Sequence, residues 1–114
     1  MIDWTRMNEL RADVGADAMA ELMALFVQEM DDAVAALCPN APPQSVAADL
    51  HFLRGAAANI GLVDVVAQCE AGEATARAGT PLPDGTIEQL RAAYAAARAE
   101  LVRTVPGMTE PTDP

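Results

Sequence analysis

The single histidine of this 114-residue chain, His51, is its best-placed candidate for chemistry, because a neutral imidazole presents a nucleophilic nitrogen near physiological pH. Arg54 and Gly55 follow three and four residues later, one helical turn on, and Ala47, Ala48 and Ala58 are its other helical neighbours. These side chains are among the smallest available. Glycine inside a helix costs about 0.5–1 kcal/mol relative to alanine, so Gly55 asks for a reason. One reason is access: with no Cβ beside the ring, a second macromolecule can bring a reactive group against it. An ordinary exposed histidine, with Gly55 as a helix-packing contact, fits the same residues. A carboxylate, Glu73, falls on an apolar stripe further along, four residues after Cys69 and three before Ala76. Burying it is costly unless it is paired. It could lie at the edge of the stripe, pair with Arg77 at i+4, or accept a hydrogen bond from one nitrogen of His51. The last arrangement would fix the neutral tautomer and leave the other nitrogen free as a nucleophile.

The elements that must position these residues are helical. Breaks fall at Pro39, Pro42 and Pro43, at Gly61, and across Gly79 to Gly85. A short helix is expected near Trp4 to Ala12. The first long helix, about Ala16 to Leu37, carries Met19, Leu22, Met23, Phe26, Met30, Ala33 and Leu37 on one stripe. A second, about Val46 to Ile60, has Ser45 as N-cap, Gly61 as left-handed terminator and the stripe Val46, Leu50, Leu53, Ala57 and Ile60. His51 points about 130° away from the centre of that stripe, toward solvent. A third, about Val63 to Ala78, buries Leu62, Val66, Cys69 and Ala76. The fourth opens on a Thr86/Gln89 capping box and buries Ile87, Leu90, Tyr94, Ala97 and Leu101. Short connections between helices of similar length predict an all-α fold, an antiparallel up-down-up-down four-helix bundle with a short N-terminal cap helix. Residues 1–105 form this domain, and 106–114 read as a disordered tail.

Composition bounds the function. Alanine is the commonest residue and aromatics make up only 4%, which favours helix and an aliphatic core. Seven basic residues, all arginine, against seventeen acidic ones give a net charge of −10. Such a surface repels phosphate backbones and anionic lipid, so nucleic-acid and membrane roles are disfavoured. Asp3, Arg6 and Glu9 spoil any N-terminal signal region, and prolines interrupt the longest uncharged stretch. A cytoplasmic protein with Cys38 and Cys69 as free thiols is expected. One histidine and two scattered cysteines supply no metal set. Without lysine there is no phosphate-binding G-x-x-x-x-G-K-[ST] loop.

The run His51-Phe52-Leu53-Arg54-Gly55-Ala56-Ala57-Ala58-Asn59-Ile60-Gly61 resembles the phosphoacceptor signature of histidine phosphotransfer (HPt) domains, H-x-L-K-G-x-x-x-x-L/I-G. The likeness extends to Phe26, Leu37 and Cys69 and covers about residues 8 to 104. It implies a helical bundle with His51 as exposed phosphoacceptor, Arg54 as the basic helper that steadies phosphoryl oxygens, and Glu73 orienting the imidazole. Arg54 stands where the family most often has lysine. Arginine keeps the charge and can grip phosphate through two donors, and the exchange bears on rate.

The resemblance further implies a phosphoryl carrier between receiver domains of response regulators, or between a receiver and a sensor histidine kinase. It would be a monomer with no intrinsic cofactor, and Mg²⁺ would come with the receiver. The docking face would comprise Ala47, Ala48, Phe52, Gly55, Ala58, Asn59 and Leu62. Phe52 could instead pack under the N-terminal helix. The rival reading is a non-catalytic adaptor bundle in which His51 is incidental.

Overall fold

A computed structural model describes residues 2–105. Five helices follow one another: α1 Trp4–Val14, α2 Ala16–Ala36, α3 Pro43–Asn59, α4 Val63–Arg77 and α5 Thr86–Thr104. No strand forms among the described residues; the one sheet-like feature is an isolated antiparallel bridge between Ile2 and Leu62. The expected tail, 106–114, lies outside the described residues. None of the helices is long and apolar enough to cross a membrane.

Local chemistry explains most helix ends. Asp3 caps α1 by accepting a hydrogen bond from the Arg6 amide at 3.1 Å. Gly15, at φ +88°, ends α1 and lets α2 begin at the next residue. Two expected caps are corrected. Ser45 does not cap α3, which starts a turn earlier with Pro43 in its first turn, where the missing N–H is no loss. Thr86 and Gln89 make no capping box; the left-handed Gly85 takes the N-cap position and its carbonyl accepts from the Gln89 amide at 2.9 Å.

The expected stripes of α3 and α5 are buried throughout. In α2 the stripe is rotated: Val27 and Val34 are buried with Met19, Met23 and Met30, while Leu22, Phe26 and Ala33 are only partly so. That helix packs against both α1 and α3, so its apolar face is broad. In α4, Val65 is buried with Cys69 and Ala76, and Val66 lies at the margin.

Helix α5 is pinned to α2 by polar contacts. Arg91 donates to the carbonyl of Leu37 at 2.9 Å, satisfying an acceptor left over at the end of α2. The buried Tyr94 hydroxyl donates to the Val27 carbonyl at 3.1 Å, and Arg98 pairs with Asp31 at 3.0 Å.

The turn after α3 is held by the N-terminus. The Asp3 amide donates to the Gly61 carbonyl at 2.7 Å, and Arg6 Nε to the Asn59 carbonyl at 3.0 Å. Gly61 is left-handed, at φ +75°, as expected of a terminator, and a Cβ there would meet the Asp3 carbonyl oxygen at 2.9 Å. Both constraints exclude a side chain.

Helices α3 and α4 form the most intimate pair in the molecule. Gly72 makes this possible: it is buried, and a Cβ on it would lie 2.8 Å from Leu50 Cδ1. Leu50 precedes His51 and Gly72 precedes Glu73, so the close approach occurs where the two candidate residues face each other.

Candidate functional site

His51 lies on the outer face of α3 with 59% of its side chain exposed. The stripe that buries Leu50 and Leu53 turns the intervening positions outward. Glu73 behaves oppositely. It sits on the stripe of α4 between the buried Cys69 and Ala76, and is itself buried, at 5% exposure.

The two side chains meet. His51 Nδ1 lies 3.0 Å from Glu73 Oε2, within reach of the carboxylate as a donor in the tautomer that carries the ring proton on Nδ1. That tautomer leaves Nε2 its lone pair, and Nε2 has no partner among the hydrogen bonds described for the ring. Glu73 is not held by histidine alone. Arg54 Nε donates to Oε1 at 2.8 Å, and Arg77 donates to Oε2 through Nε at 2.8 Å and approaches it with Nη2 at 2.6 Å. The sequence left pairing with Arg77 and bonding to His51 as separate possibilities; both are realised.

These partners determine the charge of the buried carboxyl. The hydrogen bond from Arg54, then those from Arg77 and His51, outweigh burial and hold Glu73 down to about 2. Because the folded value is depressed, the stability it contributes is complete above the ordinary carboxyl range near 4.5 and is lost as pH falls toward 2. A carbon-detected titration of the Glu73 carboxyl is expected to show it still mostly ionised at about pH 3, well below the ordinary midpoint near 4.5. A midpoint near 4.5 would mean the arginine contacts do not form in solution. Cys69, one turn before Glu73, is pushed up to about 12, chiefly by burial, so it is a protonated packing residue and no nucleophile at neutral pH.

Arg54 is turned toward Glu73, with Nη2 also 3.0 Å from His51 Nδ1. It therefore stands on the Nδ1 side of the ring. Gly55 has open space where a Cβ would be, with nothing within 4 Å, which disposes of a helix-packing role and fits access from outside.

The expected docking face is partly redrawn. Ala48, Phe52, Gly55, Ala58 and Asn59 are exposed, and Phe52, half-exposed, does not pack under α1. Ala47 and Leu62 are buried and do not belong to that face. Ala47 adjoins Val46 and lies one turn from Leu50, so a slightly wider stripe takes it in. Leu62 follows the left-handed Gly61, where helical periodicity loses its phase and the chain turns inward to bridge Ile2. Two residues that position the site were not singled out from sequence: Gly72, and Arg77 beyond its pairing with Glu73. The i+4 spacing of Glu73 and Arg77 was the available signal for the second; for Gly72 there was none.

The family model for the Hpt domain matches residues 21–100, about 70% of the chain, spanning most of α2, all of α3 and α4 and most of α5. The chain belongs to the Hpt domain family. Hpt domains act in the histidine phosphotransfer of two-component signalling, and the exposed, carboxylate-held His51 lies within the matched segment. The α1 helix of this Hpt domain, with Arg6 and its contact to the end of α3, lies outside it. No curated protein and no solved structure matches the chain.

Proposed function

We propose that this Hpt domain is a phosphorelay intermediate: His51 accepts a phosphoryl group from a receiver aspartate, or from a sensor histidine kinase, and passes it to a response regulator. The observation that carries the reading is the exposed imidazole whose Nδ1 is held by a buried, ionised Glu73. In the step, the Nε2 lone pair attacks phosphorus in line, the bond from phosphorus to the aspartyl oxygen breaks, and the aspartate leaves as carboxylate. The ring becomes an N-phosphoryl imidazolium with its proton still on Nδ1, and Glu73 balances the new positive charge. The transferring group is metaphosphate-like, so the protein contributes positioning and charge. Arg54 would turn from Glu73 to the phosphoryl oxygens and grip them with its planar fork. The reverse step returns the group to a receiver.

The domain is a carrier and makes no phosphoryl donor of its own from ATP. Among the described residues no cluster of three or more His, Cys, Asp or Glu could hold a metal, and a phosphorylated receiver would bring its Mg²⁺ with it. We also propose that the protein works as a cytoplasmic monomer, a single domain over 1–105 with α2 to α5 alternating up and down and α1 as a cap. Contacts between consecutive helices and the short connections support that arrangement.

The test is incubation with phosphorylated receiver domains, which is expected to leave an acid-labile, alkali-stable phosphate on the chain. No such label from any receiver of the same cell would end the proposal in favour of an adaptor. Docking would use the exposed Ala48, Phe52, Gly55, Ala58 and Asn59. Truncating Phe52 to alanine is expected to weaken receiver binding about tenfold, the typical effect of removing an exposed aromatic anchor, with helicity unchanged. Lost helicity with unchanged binding would instead make Phe52 a packing residue.

A further inference from the structure

The geometry points to Arg77 as a positioning residue that keeps Glu73 charged and aimed at His51 while Arg54 is engaged with the phosphoryl group. This inference rests on His51 being the phosphoacceptor and goes beyond it.

Three side chains divide the Glu73 carboxylate between them. Oε1 receives Arg54 Nε at 2.8 Å. Oε2 receives His51 Nδ1 at 3.0 Å together with Arg77, through Nε at 2.8 Å and Nη2 at 2.6 Å. Arg77 thus shares the oxygen that the imidazole uses, and Arg54 holds the other.

Arg54 cannot stay where it is during transfer. Its Nη2 lies 3.0 Å from His51 Nδ1. A guanidinium N–H can donate to Nδ1 only when that nitrogen carries a lone pair, which places the ring proton on Nε2 and removes the nucleophile. In the reactive tautomer Nδ1 carries the proton, and two donors would face each other. Arg54 must then turn away, and the phosphoryl oxygens give it somewhere to go.

Its departure strips Oε1 of its partner. Only 7% of the Glu73 side chain is exposed, and a carboxylate so placed needs a compensating cation or it takes up a proton or swings out. Arg77 supplies that cation from the same helix, one turn on, without any movement of α3. Its planar fork fixes Oε2 as well as neutralising it, which a lysine ammonium would do only in part. Arg77 touches Glu73 and acts on the ring through it.

The test uses the full chain with Arg77→Gln and Arg77→Lys. The side chain of Arg77 is 60% exposed, so both variants are expected to fold, checked by circular dichroism. Two phosphoryl donors separate positioning from docking: a phosphorylated receiver, and phosphoramidate, which needs no protein partner. With the latter, Nε2 attacks phosphorus, the phosphorus–nitrogen bond breaks and ammonia leaves. In Arg77→Gln the ¹⁵N shifts of the His51 ring are expected to move from the Nδ1–H pattern toward a mixture of tautomers. Labelling is expected to slow about tenfold with both donors, as for loss of one orienting contact, and Arg77→Lys to recover part of it. Unchanged ring shifts with an unchanged phosphoramidate rate would overturn the proposal. Slowing with the receiver alone would also overturn it, making Arg77 a docking residue. A wild-type chain that takes no phosphoryl group at His51 from either donor would sink the phosphocarrier reading itself, and this proposal with it.

Discussion

Replacing His51 with glutamine is expected to abolish acid-labile phosphorylation while leaving the fold intact. The imidazole is mostly exposed and fills no part of the core, so its removal creates no cavity. Glutamine is of similar length, and its amide N–H₂ can still donate to Glu73, which in any case keeps Arg54 and Arg77. An amide nitrogen has no available lone pair, so the nucleophile is lost outright and labelling should fall by at least about 10³-fold, to background. Helical signal and thermal midpoint are expected to match the wild type. Label that survives in His51→Gln, stable to alkali and labile to acid, would assign the phosphoacceptor wrongly.

The second large effect is expected at Gly72. A Cβ there would stand 2.8 Å from Leu50 Cδ1. The contacting atom is a side-chain end, but Leu50 is only 1% exposed, so any shift of it must be taken up within the packed core. Separation of α4 from α3 is the expected relief. Overpacking of this kind costs about 1–3 kcal/mol, partly offset by the roughly 0.8–1 kcal/mol by which alanine is the better helix former. The functional effect is expected to exceed the structural one. Glu73 is the next residue along α4 and His51 the next along α3, so the added methyl opens the 3.0 Å contact that orients the ring. A displacement near 1 Å is expected to slow labelling by about 10²-fold.

Gly55→Ala supplies the contrast. With nothing within 4 Å of the added Cβ, stability should hold or rise by up to about 1 kcal/mol. Transfer from a receiver is nonetheless expected to slow, because the methyl stands where the partner must approach. Denaturant midpoints together with transfer rates for the two variants check both statements. A Gly72→Ala protein as fast as wild type would show that the α3–α4 distance does not govern the site.

Much of this site was legible in the sequence because it follows from helical periodicity. The stripe Leu50, Leu53, Ala57 forces His51 outward, and the stripe containing Cys69 and Ala76 draws Glu73 inward; both sides of that contrast are present in the structure. Periodicity does not encode the rest. Gly72 is an apolar-neutral letter in a helix pattern, and its meaning is a distance between two helices. Leu62 fits both the stripe of the third helix and the docking face by sequence; the structure buries it, just after Gly61 turns the backbone left-handed. Ser45 and Thr86 have the chemistry of cap residues, but Pro42 and Gly85 hold the N-cap positions of α3 and α5 by backbone conformation. The wider role of Arg77 needed the depth of Glu73. Only a carboxylate buried to 5% exposure, and shared between a histidine and an arginine on α3, makes a second arginine matter.

The central claim is that the phosphoryl group resides on one particular nitrogen of His51. It is tested most directly by phosphorylating ¹⁵N-histidine-labelled protein with a phosphorylated receiver and reading the ring by ³¹P and ¹⁵N resonance. The expected spectrum shows phosphorus coupled to Nε2, with the proton retained on Nδ1 opposite Glu73. Phosphorus coupled to Nδ1, or bound to an oxygen elsewhere on the chain, would contradict it.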